Sequence, residues 1–282
     1  QHTVRPTAQP RRYTAMTSYV PLSLTDLSIA AALVLLNGAI SFAYRLELEK
    51  SLALASLRMI VQLAAVALVL RFIFQQVSPF WTIGFAAVMA TGALAEIIMR
   101  QQYRLKTWVP LLLSASPAFL SGLATTLLAL AVIQPSPWYA PRFLLPILGM
   151  LAGNTLSGVS LVLDTLTSTA ERERATIEDR LALGATRMEA FRDILRRAMR
   201  TGLMPILNSM AAAGIVALPG MMTGQILAGI DPVEAAKYQI LIMFLIAGAT
   251  AIAVLTSGLV IVHFITDDRH RLRLDFLVKS KS

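Results

Sequence analysis

The 282-residue chain contains no cysteine, three histidines and few charged residues, 15% of the total. The first absence excludes disulfides, iron–sulfur clusters and thiolate metal sites. With only His2, His263 and His270 available, a preformed cage of imidazoles around a metal is not expected either. No G-x4-G-K-[ST] phosphate loop occurs, so the chain cannot itself be a P-loop ATPase. Paired carboxylates and a nucleophile beside a base are also missing from the apolar runs, which argues against a membrane-embedded enzyme. What is present in excess is hydrocarbon. Hydrophobic residues make up 56% of the chain, and the mean hydropathy is +0.66, values that belong to a helical integral membrane protein. The net charge of +9 is not read as a nucleic-acid signal. The basic residues gather at the ends of apolar runs, and no basic face is interleaved with aromatics.

Taken in order, residues 1–23 are expected to form a disordered extension, with a native start at Met16, and residues 266–282 a basic cytoplasmic tail. Between them, 24–265 reads as an all-α, polytopic membrane domain with about seven spans. These are expected near Leu24–Tyr44, Ser51–Phe74, Phe80–Met99, Val109–Ile133, Phe143–Leu166, Leu203–Ala228 and Tyr238–Ile265, each close to the ~20 residues that cross a bilayer. Basic residues in 100–108, 167–202 and the tail place those segments in the cytoplasm, N-terminus out and C-terminus in. Trp81, Trp138 and Tyr139 then fall at the outer interface. The compartment expected is a bacterial inner membrane.

The long charged segment, Glu171–Arg200, carries eight arginines and six acids around an apolar stripe of Ile177, Leu181, Gly184, Met188, Phe191 and Leu195. Steps of three and four predict an amphipathic helical hairpin with one face free for a partner. Glu189–Arg192 and Asp193–Arg196 are the ion pairs its spacing suggests. Gly184 follows Glu178 by six residues, Ala185 comes next, and Phe191 follows Gly184 by seven. That spacing resembles the EAA loop of ABC-transporter permeases, in which a short helix docks on the ATPase subunit. Gly184 would permit a turn or close approach, and Phe191 would be the apolar anchor. The alternative is an amphipathic helix resting on the inner leaflet.

Within the spans, Pro219, Gly220, Met221, Met222, Gly224 and Gln225 lie on a segment expected to break or kink the sixth span. Gly220-x3-Gly224 is a small-residue face suited to a dimer axis or a pathway, and Gly149-x3-Gly153 is a second. Asn154 and Gln225 are expected to face a cavity or to hydrogen-bond between helices. Thioether ligation of a soft metal by methionine stands against ordinary core packing. Arg58 and Glu96 are intramembrane ions at comparable depth, expected to pair with Gln62 alongside; Glu96 has Arg100 as an alternative. Asp164 and His263 read as interfacial.

LALGATRMEAF, followed by LMPILNSMAAAGIVALPGMMTGQILAGIDPVEAAKYQI, resembles the FetB-type permease family over about Leu24–Ile265. The resemblance implies the membrane half of a bacterial ABC exporter of iron, with plant relatives linked to aluminium tolerance. It implies a homodimer working with two ATP-binding subunits. ATP and Mg would be bound by the partner and no cofactor by this chain. A permease for a non-metal cargo, or an ATP-independent seven-helix channel or receptor, are the alternatives.

Overall fold

A computed structural model describes residues 23–76, 78–99, 103–105, 108–267, 271–272 and 277–279. The expected 1–23 extension, apart from Ser23, lies outside these residues, as do Arg100, Lys106, Arg269, His270, Arg273 and Lys281. The described chain is helical: α1 (Leu24–Ala43), α2 (Glu49–Gln76), α3 (Pro79–Met99), α4 (Trp108–Ile133), α5 (Pro141–Arg172), α6 (Arg174–Ala182), α7 (Arg187–Ala212), α8 (Gly220–Leu227) and α9 (Pro232–Phe264). Two three-residue strands, β1 (Tyr103–Leu105) and β2 (Leu277–Lys279), pair antiparallel.

Six of the seven expected spans appear as continuous helices, four within two residues of their predicted ends, while α5 runs on to Arg172 and α9 begins already at Pro232. Six described helices are long and apolar enough to cross a bilayer: α1, α2, α3, α4, α5 and α9. The sixth predicted span, 203–228, is not one helix. Its first part belongs to α7, which begins in the charged hairpin and ends at Ala212; its last part is α8. Hairpin arm and membrane entry are therefore a single rod of about 39 Å at 1.5 Å per residue.

The chain divides into two compact units, Gln1–Val69 with Pro219–Tyr238, and Leu70–Leu218 with Gln239–Ser282. In the first, a Ser23–Asp26 capping box starts α1. At the other end of α1, the buried Ser41 hydroxyl donates to Glu49 and accepts from the Leu48 amide, fixing the turn into α2. Almost every apolar side chain of α1 and of α2 up to Val69 is exposed, a continuous greasy surface stable only in lipid or against a partner.

The second unit is built around α5. Val159, Val162, Leu163, Leu166 and Ala170 of α5 join Phe191, Ile194 and Ala198 of α7 and Ala253, Val254, Ile261 and Val262 of α9 in one core. A smaller cluster, Ile73, Leu130, Leu144, Leu145 and Leu148, packs the far end of α5. The β1–β2 pairing brings Tyr103–Leu105 and Leu277–Lys279 together. Arg187 Nη1 bonds His263 Nδ1 at 2.6 Å, bringing the start of α7 to the end of α9. All three basic segments thus share one end of this unit, as the charge distribution predicts. The aromatic pairs Phe72–Trp81 and Trp138–Tyr139 belong to the opposite helix ends.

Candidate functional site

The hairpin's geometry follows from two local stop signals. α6 ends in a Schellman motif: Ala185 N–H donates to Arg180 C=O and Gly184 N–H to Leu181 C=O, each at 3.0 Å. The motif needs a left-handed residue just past the helix, and Gly184 takes φ +92°. Two residues later Thr186 caps α7 in a capping box with Glu189. Glu189 Oε2 accepts from Thr186 N–H at 2.8 Å and from its hydroxyl at 2.8 Å. The backbone bond first, then the hydroxyl, hold this carboxyl below its ordinary range. Arg180 ties the arms together, donating to Ala190 C=O and to Asp193, each at 3.3 Å. Arg197 reaches Glu173 at 2.8 Å, anchoring α7 to the junction of α5 and α6.

Three expectations are corrected here. Phe191 is not an exposed anchor: it is fully buried in the chain's own core, beside Ile177, Ala190 and Leu195. The apolar stripe is thus not a free face; α5 and α9 close most of it. The predicted ion pairs give way as well, because Glu189 caps its own helix and Asp193 is taken by Arg180. What the hairpin shows to its surroundings is its tip. Leu183 is 88% exposed and Met188 41%, Gly184 is exposed, Ala185 is half-buried, and Glu178 lies outside, paired with Arg174 at 2.9 Å.

Beyond α7 the chain breaks. Ala213 and Ala217 form a bridge closed by Gly214 N–H donating to Ala217 C=O at 2.9 Å, and Ile215 and Val216 stand 92% and 82% exposed. Pro219 does not kink a helix; it occupies the N-cap of α8. The predicted interruption is present, but it begins six residues earlier, at Ala213. A Cβ on Gly220 or Gly224 would meet nothing within 4 Å, so neither glycine packs on the described chain. Met221 and Met222 are half-buried. Gln225 is half-buried too, and its Oε1 is buried without a hydrogen-bond partner among the described residues.

The other predicted residues divide between the two units. Asn154 Nδ2 donates to Met150 C=O at 2.8 Å, satisfying that amide within α5. It belongs to the second unit and Gln225 to the first. Arg58 and Gln62 are exposed one turn apart on α2 in the first unit, and Glu96 is half-buried on α3 in the second. His263 is exposed and engaged with Arg187. Among the described residues no three His, Asp or Glu side chains converge.

Sequence reasoning missed the tightest helix crossing. A Cβ on Gly202 would meet Gly158 C=O at 2.8 Å and clash with Val162; one on Gly158 would meet Thr250 at 2.8 Å and Gly202 C=O at 3.0 Å. These glycines let α5, α7 and α9 approach backbone to backbone. They sit singly on different helices, so no Gly-x3-Gly spacing marks them. By contrast Gly153 meets nothing within 4 Å, and a Cβ on Gly149 would meet only Met89.

The model of "Uncharacterised protein family (UPF0014)" matches residues 24–265. A UPF0014 membrane protein of Synechocystis, slr1647, is 40% identical over 204 residues, 71% of this chain and 77% of that protein. The Escherichia coli "Probable iron export permease protein FetB" is 32% identical over 259 residues, 91% and 98% of the two chains. The Arabidopsis "Protein ALUMINUM SENSITIVE 3" is 31% identical over 234 residues, 81% and 82%. No solved structure matches. With six apolar helices of spanning length and bacterial relatives, this is an integral protein of the inner-membrane type, and the chain belongs to the UPF0014 family.

Proposed function

We propose that the chain is the membrane-spanning permease of an ABC exporter, driven by a separate ATP-binding subunit that grips the α6–α7 tip. The observation that carries this reading is the division of labour along the hairpin. Its shaft is locked to the spans by buried Phe191, while its tip offers Leu183 at 88% exposure. A probe fixed to the bundle and apolar at its end is what a motor needs to push on: contact at the tip moves α7 as a rod. Glu178 and Arg174 set orientation around the tip, and Gly184 lets a partner backbone approach closely.

Two copies of the permease would work with two ATP-binding subunits, which hold ATP and Mg. The open Gly220–Gly224 face supports a role for α8 at the dimer axis or the pathway, with Met221 and Met222 facing cargo or the second copy and Gln225, its Oε1 buried and unpartnered, on the same helix. Arg58 and Gln62, one turn apart on α2, would form a polar step within the membrane in this reading, and Glu96 a second one on α3. Asn154, bonded within its own helix, adds a polar step on α5. The cargo is iron or a similar metal, a reading supported by the name of the Escherichia coli relative.

The permease and its ATP-binding partner, reconstituted in inverted vesicles, test all parts together. ATP-dependent uptake of labelled ferrous iron, in preference to manganese, aluminium and an organic solute, is expected. Uptake without ATP would leave an ATP-independent channel, and ATP-dependent uptake of the organic solute alone would overturn the metal assignment.

A further inference from the structure

Five of the hairpin's eight arginines are occupied: Arg172 by Thr169, Arg174 by Glu178, Arg180 by Asp193, Arg187 by His263 and Arg197 by Glu173. The other three, Arg192, Arg196 and Arg200, are exposed on α7, and none has a carboxylate partner among the described residues. The acids that their spacing would supply are committed elsewhere, Glu189 to Thr186 and Asp193 to Arg180. Successive members of this ladder are four residues apart, about 6 Å along the axis, so like charges face one another with no internal counter-charge.

Beside the ladder runs a groove of about 350 Å³, walled on its apolar side by Met188, Leu195, Met199 and Leu203. Helix direction gives this surface an order. The N-terminal end of α7 lies at the basic end of the unit, by His263, and Gly202 is already packed against Gly158 between α5 and α9. Charge and apolar surface run side by side along α7 from Met188, the arginines ending at Arg200 while the apolar side continues to Leu203 and exposed Leu207. A soluble anion would use the guanidinium groups alone and leave the groove empty. An amphiphile with an anionic head uses both.

We propose that α7 carries a binding site for an anionic phospholipid of the leaflet at the basic end, its phosphate held by Arg192, Arg196 and Arg200 and an acyl chain lying in the groove down to Leu203. The site does not depend on the motor docking at the hairpin tip, and its failure would leave that reading untouched.

Native mass spectrometry of the full-length permease, supplied with phosphatidylglycerol and phosphatidylcholine in equal amounts, tests the site. Retention of phosphatidylglycerol over phosphatidylcholine is expected, with no displacement by millimolar inorganic phosphate. Combined R192Q, R196Q and R200Q should weaken that retention on the order of a hundredfold, each basic residue near an anionic surface being worth about fivefold. Equal retention of the two lipids by the wild-type chain overturns the proposal whether or not the triple variant folds. So does displacement by phosphate, or unchanged retention in the variant. A variant that keeps its lipid but releases the ATP-binding subunit assigns the ladder to a protein partner instead.

Discussion

Truncating Phe191 and truncating Leu183 should separate two properties that the amphipathic pattern of the hairpin merges. Phe191 has 0% of its surface exposed and lies among Ile177, Ala190, Ile194 and Leu195. Phe191→Ala removes most of a ring from a close-packed site, a change that costs about 3–5 kcal/mol where surroundings relax only partly. Leu183, at 88% exposure, contributes almost no burial, and Leu183→Ala should alter stability by no more than about 0.5 kcal/mol. Binding inverts the order. A leucine that fills a pocket on the motor subunit would cost about 1–2 kcal/mol on truncation, or roughly a five- to thirtyfold weaker complex. The assay has two arms: thermal unfolding of the permease alone in one fixed detergent, and its affinity for the ATP-binding subunit with coupled ATPase activity as a second readout. Phe191→Ala should lower the midpoint sharply. Leu183→Ala should leave the midpoint in place and lose affinity and coupling. Unchanged stability of Phe191→Ala would refute the packing argument, and full binding by a folded Leu183→Ala protein would refute the assignment of the tip.

Further outcomes follow from the same contacts. Thr186→Ala should cost about 1 kcal/mol of hairpin stability through loss of the α7 cap, read as faster amide exchange at Glu189. Because the Glu189 carboxyl is held low, its contribution is complete above the ordinary glutamate range and lost as pH falls through the lowered value. Protection of the Glu189 amide, taken relative to the intrinsic exchange rate at each pH, should therefore fall as the pH drops below the ordinary glutamate range, and Thr186→Ala should flatten that profile. Gly202→Ala sets a methyl against Gly158 C=O and Val162, an overpacking of about 1–3 kcal/mol against a helix-propensity gain of about 1 kcal/mol. It should lower the unfolding midpoint, whereas Gly92→Ala, with open space around it, should not. Gly224→Leu should spare the fold of the monomer and shift the dimer toward monomer in light scattering; an intact dimer with intact transport would remove α8 from the interface and the pathway.

Hydrophobic runs of spanning length were legible from composition, because a bilayer demands ~20 apolar residues whatever surrounds them. Gly184 was legible for a similar reason: a glycine between two amphipathic stretches marks a turn in the local sequence, although the Thr186–Glu189 box that starts α7 went unread. The break after α7 was only half legible. Pro219 announced it, yet Pro146 and Pro205 lie inside α5 and α7 without ending them. The turn itself is made at Ala213–Ala217, where Gly214 takes φ +86°, and a single glycine in an apolar run carries no such message.

Phe191 shows why the rest could not be read. A stripe of Ile177, Leu181, Met188, Phe191 and Leu195 states that one helix face is apolar, but periodicity is silent on what covers it. The cover comes from Val162 and Leu166 of α5 and Ile261 and Val262 of α9, residues whose own sequence reads simply as lipid-compatible. In a soluble protein an apolar stripe must find a core. In a membrane protein lipid, partner and core are equally good solvents for it, so sequence alone leaves three answers. The deciding feature is the approach of α5 and α7 at Gly158 and Gly202, which draws the hairpin's root into the bundle and turns Phe191 inward. Of the apolar stripe it leaves Gly184 and Met188 exposed at the tip, beside Leu183. A motor that engages this protein therefore meets a short apolar point on a stiff rod, and the force it applies there enters the bundle through α7.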